Sequence, residues 1–235
     1  MGSIFRFKRF EVDQSGCAMK INTDGVLLGA LAKHRHPGHI LDIGTGTGVI
    51  ALMLAQRFDT VKVDAVEIDD QAAQRAQSNF NRSPFAERLH VIQGSFQDME
   101  VPCQYDLIVS NPPFYINALH NPNDRKKLAR HTDLTFFHNL VDFSVQALRE
   151  NGILQLILPS ELAIEVADMA KSVGLVLVEE VRIKSYPDTE YIRTIISLKK
   201  DTAETKTSTS LVIYEDKDLY TQSYKELLRD FFLAF

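Results

Sequence analysis

Residues 111–114 read Asn-Pro-Pro-Phe and close the apolar run of residues 105–109. The tetrapeptide gathers a carboxamide, a backbone carbonyl with few directions in which to point, and an aromatic face. Each proline restricts its own φ, and Asn111 is biased away from the α region by the proline that follows it. Two acceptor oxygens and a flat apolar face are the parts needed to hold a planar amine. Taken alone, the same run also serves as a turn that merely stops a strand. The upstream sequence decides between these readings.

Residues 41–49 read Leu-Asp-Ile-Gly-Thr-Gly-Thr-Gly-Val and join a first strand to its helix. Gly44, Gly46 and Gly48 let the backbone turn tightly and let a ligand approach where a Cβ would collide. A dinucleotide fingerprint is spaced G-x-G-x-x-G, whereas these glycines run G-x-G-x-G, with Val49 where the third glycine of the fingerprint would stand. Asp42, just ahead, would repel a diphosphate yet suits the cationic amino end of S-adenosylmethionine. The loop therefore favours that cofactor over NAD. Glu67, ending the second strand, is spaced to accept hydrogen bonds from ribose hydroxyls, where an isolated acid would be a solvated strand end. Asp69 reads as a helix cap rather than a ligand. In residues 95–98, Ser95 offers a polar contact, and Phe96 is either an apolar wall for adenine or ordinary core.

These residues need a scaffold that brings strand ends together. From residue 39, short apolar strands alternate with helical patterns: strands at 39–43, 61–68, 89–93 and 105–110, with helices at 49–57 and 70–81. This βαβ rhythm predicts an α/β fold whose mainly parallel sheet is covered on both faces. A polar stretch at 120–131 precedes a helix over 136–149 and a strand at 153–158. Ser160 is placed to cap the next helix, in which Leu162, Val166, Ala170 and Val173 form a core stripe. Segments 175–183 and 191–198, split by the turn Tyr186-Pro187-Asp188, are expected to pair antiparallel. Residues 201–210 read as a polar connection, 211–214 as a short edge strand, and Thr221 as the cap of a last helix. The expected division is an N-terminal segment 1–35, a core 36–200 and a C-terminal extension 201–235 of the same domain.

At 235 residues the chain can bury one substantial core. With 45% hydrophobic and 24% charged residues it has the balance of a globular protein. Its net charge of -5 argues against indiscriminate coating of nucleic acid, while local basic surface remains compatible. Cys17 and Cys103 lie far apart without metal-ligand spacing, so neither a disulfide framework nor a metal site is expected. Residues 1–6 lack the apolar stretch of a signal peptide, and no segment approaches the roughly 20 apolar residues that cross a bilayer. A reducing cytoplasm is the expected compartment.

With these residues in hand, the chain resembles the class I S-adenosylmethionine-dependent methyltransferases. Residues 41–49 resemble motif I, Glu67 the acidic ribose contact, residues 94–98 the adenine-side region, and residues 111–114 motif IV. A narrower likeness is to the bacterial tRNA1(Val) adenine-37 N6-methyltransferases. It rests on residues 17–28 (Cys-Ala-Met-Lys-Ile-Asn-Thr-Asp-Gly-Val-Leu-Leu), which resemble a cofactor-covering segment, on Ala129-Arg130-His131-Thr132, and on the C-terminal stretch from Leu211 to Leu233. The resemblance implies a Rossmann-like fold with a mostly parallel seven-stranded sheet, an antiparallel C-terminal strand and helices on both faces. It implies a cofactor pocket at Thr23, Asp24, Asp42, Gly44, Glu67 and Asn111, and a target-base site at Asn111, Pro112 and Phe114, with Pro113 beside it.

In the expected chemistry, adenine N6 attacks the sulfonium methyl in line, and a neutral thioether leaves. The Asn111 side-chain oxygen and the Pro112 carbonyl accept the two amino hydrogens, which favours a more nucleophilic nitrogen, while Phe114 stacks on the base. No strong general base is required, because the amine becomes acidic only as the new bond forms. His131 accordingly reads as a loop polar group. Arg125, Lys126, Lys127 and Arg130 either grip RNA phosphates or form a solvated loop. Arg6, Lys8 and Arg9, alternating with Phe5, Phe7 and Phe10, suit either an edge strand or RNA contact. The implied partner is tRNA, with no DNA, membrane or obligate protein partner. The rivals are methylation of a protein glutamine amide or of guanine N2 in ribosomal RNA, and a non-catalytic RNA-binding protein. Glutamine methylases of that type carry a larger helical domain in front, where about 35 residues precede the sheet here. Guanine N2 enzymes often carry a duplicated domain, and a non-catalytic relative would carry a damaged glycine loop or a replaced Asn111.

Overall fold

The computed structural model describes residues 4–17, 19–100, 104–113, 124–200 and 205–235, with 124–133 as backbone only. A hairpin of β1 (Ile4–Arg6) and β2 (Glu11–Asp13) leads into α1 (Thr23–Leu31). Next come β3 (His39–Ile43), α2 (Val49–Arg57), β4 (Lys62–Glu67), α3 (Asp70–Arg82), β5 (Leu89–Gln93) and β6 (Tyr105–Ser110). They are followed by α4 (Asp124–Ala147), β7 (Leu148–Pro159), α5 (Ser160–Ser172), β8 (Leu175–Lys184), β9 (Tyr191–Lys200) and β10 (Thr207–Val212). The chain closes with β11 (Tyr214–Asp216), β12 (Leu219–Tyr220) and α6 (Gln222–Leu228).

The main sheet runs β10-β8-β9-β7-β6-β3-β4-β5, and only β9 lies antiparallel to its neighbours. The expected antiparallel pair is thus β8 and β9. The expected seven strands become eight: residues 207–212 were read as the end of a polar connection and the start of an edge strand, yet they pair parallel with β8. Without β10 the outer edge of β8 would leave its backbone groups unpaired. Residues 201–204 of that connection lie outside the described residues.

Central strands are apolar on both faces because helices cover both. One face packs α1, α2, α3 and α6 over residues such as Ile40, Val63 and Leu107, and the other packs α4 and α5 over Leu41, Ile108 and Leu156. Among the described residues no helix is long and apolar enough to cross a membrane.

Three local expectations need correction. Helix α4 begins at Asp124, so part of the stretch read as polar connection is helical; its polar composition hid a helix that carries no apolar stripe there. Ser160 is the first helical residue rather than the cap, since Pro159 occupies that position and the Ser160 hydroxyl accepts from Thr194 Oγ1 at 3.2 Å. Val173 is 36% exposed at the end of α5, and Ala163 joins Val166 and Ala170 in the core instead. Asp69 and Thr221 do cap α3 and α6, accepting from the amides of Ala72 and Tyr224.

A single buried amide ties the N-terminal segment to the glycine loop. Asn79, on α3, has no exposed surface. Its Nδ2 donates to the carbonyls of Thr47 at 2.9 Å and Asp13 at 3.1 Å, while Oδ1 accepts from the Asp13 amide at 3.0 Å and Arg82 Nη2 at 2.9 Å. Every bonding capacity of this carboxamide is used, so truncation strands the buried Thr47 carbonyl and the half-buried backbone of Asp13. Asn79→Ala is expected to lower stability by about 2–4 kcal/mol. Urea denaturation of the two proteins checks this, and an unchanged midpoint would contradict it.

Candidate cofactor and amine site

The parallel pairing aligns Ile92, Val66, Ile43 and Ser110 in one row across β5, β4, β3 and β6. The residues that follow, Glu67, Gly44 and Asn111, therefore emerge side by side at the carboxyl ends of the strands. Ser110 Oγ donates to the Ile43 carbonyl at 2.8 Å, fastening the root of Asn111 to the root of the glycine loop. Above this row lies a cavity of about 380 Å³, lined by Gly44, Gly46, Glu67, Ser95, Phe96, Asn111, Pro112 and Pro113 among others.

Gly44 and Gly46 have φ of 72° and 58°, and a Cβ built on either would meet nothing within 4 Å. Their backbone thus presents open space. Gly48 is glycine for a different reason: at φ 89° its Cβ would fall 2.4 Å from Phe80 Cε1, so it serves helix packing and does not line the cavity. Glu67 Oε2 accepts from the Gly46 amide at 2.8 Å and Oε1 from the Asp69 amide at 2.9 Å. Each oxygen keeps a further lone pair.

Asp42 lies beneath the loop with no exposed surface, outside the cavity lining. Its Oδ2 accepts from Thr45 Oγ1 at 2.7 Å, while Oδ1 makes no hydrogen bond of normal geometry among the described residues. Burial pushes its pKa up to about 7; the Thr45 hydroxyl and the Ala51 amide pull it back, and Glu67 adds repulsion.

Phe96 belongs to the core and also lines the cavity: it meets Phe136 and Phe143 edge-on, with centroids at 5.7 and 5.4 Å. Thr23 and Asp24 begin α1 and are not lining residues; Asp24 Oδ2 is held by Arg193 Nε at 2.7 Å. Asn22, Ile68 and Phe136 are among the lining residues that sequence reasoning missed. Ile68 carried the one legible signal, an isoleucine directly after a ligand-spaced acid, and it is 74% exposed.

Phe114 lies outside the described residues, as does Cys103. Arg125, Lys126, Lys127 and Arg130 belong to the first turns of α4, and their side chains are outside the description. Each of the exposed N-terminal cations has a contact within the chain. Arg6 pairs with Glu11 at 3.3 Å, Lys8 Nζ donates to the carbonyls of Arg229 and Phe235, and Arg9 lies over the Phe85 ring. None of the three lines the cavity.

The family model for the methyltransferase small domain matches residues 22–184. The chain is 51% identical, over the full length of both proteins, to a tRNA1(Val) (adenine(37)-N6)-methyltransferase of Pedobacter heparinus. It belongs to the tRNA1(Val) (adenine(37)-N6)-methyltransferase family. Its fold is the Rossmann-like class I methyltransferase fold. A crystal structure of a predicted O-methyltransferase from Agrobacterium tumefaciens matches it with a TM-score of 0.71 at 17% identity, covering 88% of this chain and 96% of that one. M. jannaschii TYW2 in complex with AdoMet matches with a TM-score of 0.55 at 15% identity, covering 86% of this chain and 88% of that one.

In this methyltransferase the raised Asp42 has a consequence for stability. Between pH 3.8 and about 7 the folded carboxyl holds a proton that the unfolded one has lost, so its contribution to stability falls as pH rises through that window and is level above it. The stability of Asp42→Asn relative to the natural protein is therefore expected to grow from about pH 4 to about pH 7 and then plateau. Parallel thermal melts without cofactor test this; curves that stay a constant distance apart would refute it.

Proposed function

We infer that this methyltransferase transfers the methyl group of S-adenosylmethionine to N6 of adenine 37 in tRNA1(Val). The observation that carries the reading is the emergence of Gly44, Glu67 and Asn111 from one row of a parallel sheet beneath one cavity.

The residues present fit the cofactor. Open backbone at Gly44 and Gly46 admits a close ligand, Glu67 retains acceptor capacity for ribose hydroxyls, and Ile68 and Phe96 offer apolar surface to adenine. Asp42, buried beneath the loop and outside the lining, supports the loop through Thr45 and is assigned no cofactor contact. Residues 1–35 read as a covering segment, since Lys20, Ile21, Asn22 and Gly25 line the same cavity. When bound, S-adenosylmethionine supplies a methyl group made electrophilic by its sulfonium.

The chain's own part is positioning. Asn111 Oδ1 and the Pro112 carbonyl accept the two N6 hydrogens, drawing the nitrogen lone pair out of conjugation and stabilising the positive charge that develops there. Phe114 stacks on the base. The N6 proton passes to water once the bond has formed, so no histidine or glutamate is needed at the amine. An anticodon-loop adenine reaches this site because it is readily unstacked.

Arg125, Lys126, Lys127 and Arg130 are assigned to RNA phosphates. Along α4 the backbone of Arg130 lies about 9 Å, and that of Arg125 about 16 Å, from Phe136 in the cavity wall, at 1.5 Å per helical residue. The protein is placed in the cytoplasm with its tRNA.

The test is transfer of labelled methyl from S-adenosylmethionine to tRNA, ribosomal RNA and protein extract from cells lacking this protein, followed by nucleoside mapping. N6-methyladenosine at position 37 is expected, and label only in protein or ribosomal RNA would overturn the assignment. Asn111→Ala is expected to lower kcat by at least about 100-fold, the usual scale for losing one transition-state hydrogen-bonding group. A change below about threefold would remove Asn111 from the catalytic role.

A further inference from the structure

Asn22 stands at the N-cap of α1, where its Oδ1 accepts from the Gly25 amide at 2.9 Å. A backbone amide can only donate, so this bond fixes which end of the Asn22 carboxamide faces inward. The same oxygen lies 3.4 Å from Asn111 Nδ2. If the Asn111 amide turned over, its oxygen would face another oxygen already committed as an acceptor, with no hydrogen between them. The orientation seen in the structure is the one that avoids this repulsion.

We propose that Asn22 is a positioning residue that sets the rotational state of the Asn111 carboxamide, holding its nitrogen toward α1 and leaving its oxygen to accept a hydrogen from the target amine. The inference rests on the reading of Asn111 as an amine acceptor. An amide is symmetric in shape but not in polarity. Turned over, it would present two donors to a group that also donates, and the attack geometry would be lost without any change in cavity shape. At 3.4 Å the contact is a long hydrogen bond, suited to biasing a rotamer rather than to holding the fold together. The Gly25 cap bond is the anchor, and the Asn111 contact transmits it.

This separates two roles that a single alanine substitution would merge. Asn22→Ser keeps an N-cap acceptor for α1, yet its hydroxyl is too short to reach Asn111. Asn22→Asp keeps both the cap and a longer acceptor oxygen. The experiment is steady-state methyl transfer to tRNA with each variant, alongside calorimetric titration of S-adenosylmethionine and thermal melts.

The expected result for Asn22→Ser is a kcat lower by about tenfold or more, with the melting temperature, the cofactor Kd and the KM for tRNA little changed; for Asn22→Asp it is a kcat recovered to within about threefold of the natural protein. Full kcat in Asn22→Ser would overturn the proposal. So would an equal loss in both variants, since acceptor character would then be irrelevant, or a loss confined to cofactor affinity, which would make Asn22 a cofactor contact. Failure of the underlying reading has a separate signature: Asn111→Ala would itself remain active, whatever the Asn22 variants do.

Discussion

The site depends on the register of β3 between β4 and β6. Ile43 is level with Val66 on one side and with Ser110 on the other, and each chemical group is the next residue or two along its own strand. Strand side chains alternate with a period of two, so a slip of one residue on β3 would move Asp42 and the glycine loop relative to both Glu67 and Asn111 and would exchange the two buried faces. That slip is opposed from both sides of the sheet at once, because Leu41 belongs to one core and Ile40 to the other. Packing on two faces thus specifies a geometry that polar contacts alone would leave loose.

Elements outside the sheet act by holding that edge. Asn79 links the Thr47 carbonyl to the β2 backbone, and α1 brings Asn22 to Asn111, so the N-terminal segment reaches the cavity from two sides. Lys8 in turn anchors the chain terminus through the carbonyls of Arg229 and Phe235, beside the Phe7 and Phe232 bridge. Of the N-terminal cations, Lys8 is committed to this internal fastening, while Arg6 and Arg9 stay at the surface beside Glu11 and Phe85. A positive charge that caps carbonyls within its own fold is a weaker site for phosphate than one facing solvent.

The sequence was most legible where punctuation is local. Residues 39–43, 49–57, 89–93 and 105–110 carry apolar runs bounded by glycine, proline or polar turns, and their elements have the bounds expected of them. The start of α4 was not legible, because its first turns carry charge rather than an apolar stripe, and β10 was misjudged because its pairing depends on an open edge more than twenty residues away. In the site, Gly44 and Gly48 look identical in the sequence; only the fold shows that one opens to the cavity and the other makes room for Phe80. Asp24 likewise reads as a pocket acid until Arg193 arrives from β9. Asn22 was legible only as one residue of the cofactor-covering stretch 17–28, since a helix cap and an amide-orienting contact use the same atom.

An acceptor pair made of one carboxamide oxygen and one proline carbonyl recognises two amino hydrogens and little else. Adenine N6, guanine N2 and a glutamine amide all present such hydrogens on a planar nitrogen, so the pair fixes the reaction without choosing the substrate. The cavity lining described above is equally neutral on this point, because its polar groups are assigned to the cofactor. On the proposed reading, selection lies with groups that meet the target beyond the amine, and the basic residues opening α4 are those assigned to it. Phosphate contacts from that segment would position an RNA strand without reading its bases, leaving the choice of base to which nucleotide is unstacked at the distance those contacts impose. On that reading specificity is a matter of reach: the amide is generic, and the spacing between it and the basic turns decides which adenine arrives.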